Sequence, residues 1–272
     1  MSQRKIFLVT TVIFLMLISC TTVPITGRKQ LNIIPNSTML SMSFQQYDEF
    51  LKQNRVSKDP KRVKLVKNVG RKIRKAVEEY MSQKGMSDQL KGYKWEFNLV
   101  ENDQVNAWCM PGGKVVVYTG ILPITKNESG LAVIIGHEIA HAIAEHGNER
   151  MSQSLMTQLG GMALAKAIEE KPEQTQQLWM AAFGAGAQLG YMLPYSRLHE
   201  NEADHLGLIF MAMAGYDPHQ AVGFWKRMAE MKEGQAPPEF VSTHPSDKNR
   251  IKNLKKLLPE AMKFYKEAKS RK

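Results

Sequence analysis

The chain has 272 residues, of which 43% are apolar and 23% charged, enough for one sizeable domain with a real core. Its formal net charge is +11, but the basic residues are spread along helical segments such as Arg71-Lys72, Arg74-Lys75 and Lys255-Lys256, without interleaved aromatics; no nucleic acid is expected as a partner. Two cysteines exclude a disulfide framework, and internal repeats and low-complexity segments are absent.

Arg4 and Lys5 precede an apolar run from Ile6 to Ile18 that is short for a membrane span and is followed by small residues, the pattern of a secretory signal. Its end, Leu17-Ile18-Ser19-Cys20, resembles the lipobox of bacterial lipoproteins. The resemblance implies a signal peptide over 1–19 and an acylated Cys20 that ties the chain to a membrane. An ordinary signal peptide or an uncleaved anchor are the alternatives. Thr21 in place of Asp after the cysteine implies, by the same resemblance, the outer rather than the inner membrane. Loss of residues 1–19 would lower the formal charge to about +9, so the mature domain stays basic. Residues 20–40 carry breakers at Pro24, Gly27 and Pro35 and are expected to form an irregular tether, leaving 41–272 as the folded domain.

A first helix is expected from Met39 to Gln53. Asp59-Pro60 caps a second, in which Val63, Val66, Val69, Ile73 and Val77 recur at helical spacing up to Tyr80. Tyr93 to Val100 alternates as a half-buried strand, Asn106 to Met110 is a further extended piece, and Lys114 to Gly120 follows the Pro111-Gly112-Gly113 turn. Cys109, between Trp108 and Met110, is expected to be a buried, inert thiol. Asn127-Glu128 caps a helix through His146 that Gly147 should end. Met151 to Glu169 and the Gly- and Ala-rich Gln176 to Met192 follow, expected as a closely packed helix pair rather than a membrane hairpin. A helix opened by Pro194-Tyr195-Ser196-Arg197 stops at Gly215, Asp217-Pro218 caps the next, and the last helices begin near Arg250-Ile251. The sum is an α+β, predominantly helical domain with a small, mostly antiparallel sheet near the helix that ends at His146.

That helix contains His137-Glu138-Ile139-Ala140-His141. At about 100° per residue, His137 and His141 lie about 40° apart, one turn apart on one face, where two imidazoles can share a metal ion. Glu138, one residue on, stands beside the metal as a base toward water rather than as a ligand. An amphipathic helix whose polar residues merely coincide is the bland alternative, and a third ligand decides. Glu200 and Asp204, four apart, share one helix face, while Glu202 is turned about 160° from Glu200; only one of the two glutamates can face the metal with Asp204 behind it.

H-E-x-x-H followed some 60 residues later by Ser196-Arg197-x-x-Glu200-x-Glu202-Ala203-Asp204 resembles the zinc metallopeptidase family that includes HtpX, BepA and the CAAX prenyl endopeptidases. Asn106-Ala107, Pro111-Gly112-Gly113, Thr119-Gly120, Asp217-Pro218 and Thr243-His244-Pro245 with Arg250-Ile251 are similar to family features in the family's order, and Val23-Pro24-Ile25-Thr26-Gly27-Arg28 resembles its exported lipoprotein branch, without that branch's C-terminal repeat domain. The resemblance implies a zincin-like fold and one Zn2+ per chain on His137, His141 and Glu200, with Asp204 supporting the site and Glu138 as the catalytic base. It offers His244 two roles, hydrogen-bonding the oxyanion or swinging onto zinc as an inhibitor. Asn106 and Ala107 would lie on the sheet edge where an extended substrate adds as a strand, with an ordinary turn Asn as the alternative. His146, His199, His205 and His219 are expected to be structural, the last three at exposed or capping positions. The implied function is a zinc-dependent endopeptidase on the periplasmic side of a bacterial envelope membrane, acting on misfolded or unassembled envelope proteins, with outer-membrane assembly machinery as a candidate partner. A client-binding chaperone or scaffold with zinc capped by His244 is the alternative.

Overall fold

A computed structural model describes residues 20–188, 192–231 and 249–271. The expected signal peptide over 1–19, and His244 with its flanking turn, lie outside the described residues.

The chain opens with β1 (Cys20–Thr22) and β2 (Lys29–Leu31), paired antiparallel. Two long helices follow, α1 (Asn36–Gln53) and α2 (Pro60–Gln83). The Asp59 side chain accepts from the Lys61 and Arg62 N–H groups, with Pro60 at the first helical position. The main sheet holds β3 (Glu96–Val100), β4 (Ala107–Met110) and β5 (Lys114–Tyr118) in the order β3-β5-β4. A short α3 (Leu122–Thr125) leads into α4 (Glu128–Ile143), α5 (His146–Ala167), α6 (Glu173–Ala187), α7 (Leu193–Met213), α8 (His219–Glu230) and α9 (Arg250–Ser270). Among the described residues no helix is long and apolar enough to cross a membrane.

Strand alternation divides the core into two layers. Phe97, Leu99, Ala107, Val115 and Val117 join α2, α4 and α7 in the main cluster, while Val100, Val116 and Tyr118 pack with Tyr47 of α1 on the other face. At the centre, every residue of α4 from Gly130 to Ile143 is buried. A helix apolar nearly all round must be covered on all sides, and α2, β4, α7 and α8 supply the cover. The α4 and α7 backbones touch: a Cβ on Gly207 would stand 2.9 Å from the His137 N, and one on Gly136 would stand 3.0 Å from the Gly207 O. Glycine alone permits that approach, and it fixes α7 against the turn that carries His137.

Two expectations are corrected, and the expected small sheet gains a detail. The segment over 20–40 is no tether: Val23 is fully buried in the main core, the hairpin packs on the domain, and α1 begins at Asn36. Pro24 and Gly27 mark the turn of this hairpin, Gly27 with φ +65°. The metal-site helix ends at Ile143, not at Gly147, because Glu145 takes a left-handed φ of 54° and the chain restarts as α5 at His146. Within the small sheet the β4–β5 pair is antiparallel as expected, but β3 runs parallel to β5, since β4 leaves the centre and takes the edge beside α4.

Candidate metal centre

The α4–α7 contact brings three buried side chains together. His137 Nε2 lies 3.2 Å from His141 Nε2 and 3.3 Å from Glu200 Oε2, and His141 Nε2 lies 3.4 Å from Glu200 Oε1. Tetrahedral zinc with bonds of about 2.0–2.1 Å sets its ligand atoms about 3.3–3.4 Å apart, close to the spacing of the two imidazole nitrogens and of each from a carboxylate oxygen of Glu200. Two imidazoles and one carboxylate are also the donor set of an open catalytic site, so the residues fit the ion. Burial pushes the His137 imidazole down, but Asp204 and Glu200 outweigh it and raise the group to about 9. The same negative charge that holds a proton there favours a cation.

His137 is held from behind. His137 Nδ1 is 3.0 Å from Asp204 Oδ1, which accepts a 2.7 Å bond from Arg250 Nη2. The Arg250 guanidinium lies 3.3 Å over the Trp225 ring, and Trp225 meets His137 edge-on at 5.6 Å. Burial would raise the Asp204 carboxyl, yet Arg250 and His137 hold it below its ordinary value. Glu138 is buried beside the triangle, one residue after His137. Cys109 of β4 faces it, and burial together with the Glu138 charge pushes its thiol well up, in keeping with an inert residue.

Glu202 points away from the triangle, as its angular offset requires. Its Oε2 is 3.1 Å from His146 Nε2, and Thr26 Oγ1 and Arg28 Nε donate to its Oε1 at 2.7 and 3.0 Å. Arg28 also donates to both oxygens of Glu149 at 2.8 Å. His199 corrects the expectation of an exposed or capping position, and His146 has a partner that the sequence did not suggest. The turn at Glu145 swings His146 back, so its Nδ1 is 2.8 Å from His141 Nδ1. His199 is fully buried, stacked on His146 at 4.2 Å, with Nε2 2.8 Å from Glu149 Oε2. His219 is exposed and paired with Asp217, while His205 is partly buried and paired with Glu260.

Ala107 is buried at the start of β4, and Asn106 lies just before it, its Oδ1 accepting from the Ala107 N–H at 2.9 Å. Beyond β4, among the described residues, no strand pairs with its outer edge. Sequence reasoning missed Arg28, Glu149, Trp225 and the partnership of His146. The one available signal was the pair of glutamates at 200 and 202, since a second buried carboxylate needs its own cation.

A family model for peptidase family M48 matches residues 68–258. The chain is 33% identical over 241 residues to the mitochondrial metalloendopeptidase OMA1 of Schizosaccharomyces pombe, an alignment covering 88% of this chain and 66% of that protein. It is 35% identical over 183 residues to the mitochondrial metalloendopeptidase OMA1 of Arabidopsis thaliana, covering 66% and 36%. It is also 29% identical over 182 residues to the beta-barrel assembly-enhancing protease of Yersinia pestis, covering 59% and 34%. The chain thus spans between about a third and two thirds of the length of these relatives. They include both mitochondrial and bacterial proteins, which shows the family and not a particular branch of it. Because the matched segment takes in well over half of the chain and carries the whole His137, His141, Glu200 triangle, this chain belongs to peptidase family M48, a family of zinc-dependent metallopeptidases.

Proposed function

We propose that the chain is a zinc-dependent endopeptidase that hydrolyses peptide bonds in misfolded or unassembled envelope proteins. The observation that carries this reading is the buried triangle of His137, His141 and Glu200 with the Glu138 carboxylate beside it. Zn2+ held there supplies a Lewis acid that polarises the scissile carbonyl and makes water acidic near neutral pH. Glu138 takes the proton from the attacking water and returns it to the leaving amine. Asp204, itself held by Arg250, fixes the His137 ring by its Nδ1. An extended segment of substrate adds along the outer edge of β4 next to Asn106 and Ala107; main-chain pairing of that kind tolerates many sequences, as a protease of unfolded clients requires.

Location and partners extend the same proposal. The pattern over residues 1–20 supports attachment through an acylated Cys20, facing the periplasm of a bacterial envelope and on the outer rather than the inner membrane. The likeness to the beta-barrel assembly-enhancing protease of Yersinia pestis supports outer-membrane assembly machinery as the surroundings in which clients are met. Release of a Cys20→Ala variant into the soluble fraction is the expected result; its retention in the membrane would refute the lipid anchor.

Cleavage of casein by the full chain tests the chemistry. Activity should vanish with a chelator, return with zinc, and fall at least 1,000-fold in Glu138→Gln while zinc stays bound. Cleavage that persists in Glu138→Gln, or casein bound and never cut, would overturn the endopeptidase reading. His244→Ala then separates its two implied roles: faster cleavage marks an inhibitory histidine, and loss of cleavage marks an oxyanion partner.

A further inference from the structure

The metal ligand His141 has a partner in α5 whose orientation the N-terminal hairpin controls. His141 turns Nε2 toward His137 and Glu200 and turns Nδ1 toward His146 Nδ1, 2.8 Å away. A neutral imidazole that offers Nε2 as a ligand carries its proton on Nδ1. His141 therefore donates, and His146 Nδ1 accepts. A neutral His146 then carries its own proton on Nε2, the atom 3.1 Å from Glu202 Oε2. With both rings neutral, only this arrangement satisfies both contacts, and it requires an ionised acceptor at Glu202.

Glu202 is almost fully buried, on the opposite side of α7 from Glu200. A carboxylate in that position needs a cation. Arg28 supplies it, donating to both Glu202 oxygens and, in the bidentate fork available to arginine, to both oxygens of Glu149. Thr26 adds a further donor from the same turn, and His199 stacks on the opposite face of His146 while bonded to Glu149. The hairpin between β1 and β2 thus reaches across the start of α5 and the middle of α7 and ends, three hydrogen bonds later, on a ligand ring.

We propose that His146 is a positioning residue for the metal ligand His141, and that Arg28 of the N-terminal hairpin sets it through Glu202, so that docking of the hairpin tunes metal affinity. The inference rests on reading His137, His141 and Glu200 as the zinc ligands. A hairpin pulled away from α7 would leave Glu202 without its cation and weaken the hold of His146 on the His141 ring, which makes residues 20–31 a lever on the metal centre rather than a spacer.

The test measures zinc affinity of the full chain by competition with a chromophoric chelator, alongside long-range proton–nitrogen spectra of histidine-labelled protein. His146→Leu should bind zinc about 10- to 100-fold more weakly, the usual loss when a ligand's outer partner is removed. Arg28→Met should weaken it in the same direction by a smaller factor, and Arg28→Lys should lie between Arg28→Met and the parent. The spectra should show His141 protonated at Nδ1 and His146 at Nε2. Parent-like zinc affinity in folded His146→Leu, or a His146 protonated at Nδ1, would overturn the inference. If His146→Leu does not fold, Arg28→Met and the parent spectra decide by the same criteria. A parent that binds no zinc would overturn the metal reading itself, an outcome separate from a parent that binds zinc and variants that bind it equally well.

Discussion

The α4–α7 pair and the α5–α6 pair are both crossed at glycines, and they are built to different tolerances. At Gly136 and Gly207 backbone meets backbone, so the spacing between the helices is set by main-chain atoms that cannot rotate away. At Gly160 the neighbour is the tip of the Phe183 ring, 3.2 Å from where a Cβ would stand, and a side chain can move. The first pair holds three metal donors at 3.2–3.4 Å; the second has no buried residue in α6 and leaves Leu178 70% and Trp179 55% exposed. Placement to tenths of an ångström needs backbone contact and complete burial, and a helix pair without such a task does without both.

The sharpest way to break the contrast is to put a side chain at the tight crossing. Gly207→Val drives a Cβ against the His137 backbone and should abolish zinc binding and lower stability by about 3 kcal/mol, read by metal content and thermal unfolding. Next in size, Leu131→Ala empties a fully buried site in α4 and should cost about 2–5 kcal/mol in urea unfolding. Where the two pairs meet, at the start of α5, burial pushes the Glu149 carboxyl up but Arg28 and His199 hold it below its ordinary 4.5. Its contribution is therefore fully present above that value and lost as pH falls through the lower native one. Glu149→Gln should cost about 2 kcal/mol at neutral pH and flatten the loss of stability in acid. The smallest effects belong to the α5–α6 pair. Gly160→Ala should be neutral or stabilising by up to about 1 kcal/mol, and Leu178→Ala should change stability by less than about 0.5 kcal/mol. A large loss at either position would show that α5–α6 is as tightly specified as the metal pair.

Much of the site was legible because helical geometry does part of the placing. His137 and His141 lie one turn apart by spacing alone, whereas the choice of Glu200 over Glu202 came from the family resemblance, and Asn127, Asp59 and Gly215 announced helix ends through local hydrogen bonds or positive φ. What was illegible depends on events with no local signature. Glu145 adopts a left-handed conformation without being glycine, so Gly147 drew the expected end and the contact of His146 with His141 had no signal in the sequence. Strands of three residues around Pro24 and Gly27 are too short for any period to show, which hid the hairpin and with it Arg28. The parallel place of β3 beside β5 follows from β4 taking the edge against α4, a tertiary choice that alternation within each strand does not encode.

Zinc-edge absorption spectroscopy on the full chain tests whether the α4–α7 crossing places Glu200 on the metal with His137 and His141. The expected spectrum has imidazole nitrogens and a carboxylate oxygen at about 2.0–2.1 Å and no sulfur, and Glu200→Gln should lose the oxygen shell and bind more weakly. A zinc spectrum with a sulfur ligand, or one that Glu200→Gln leaves unchanged, would contradict that placement.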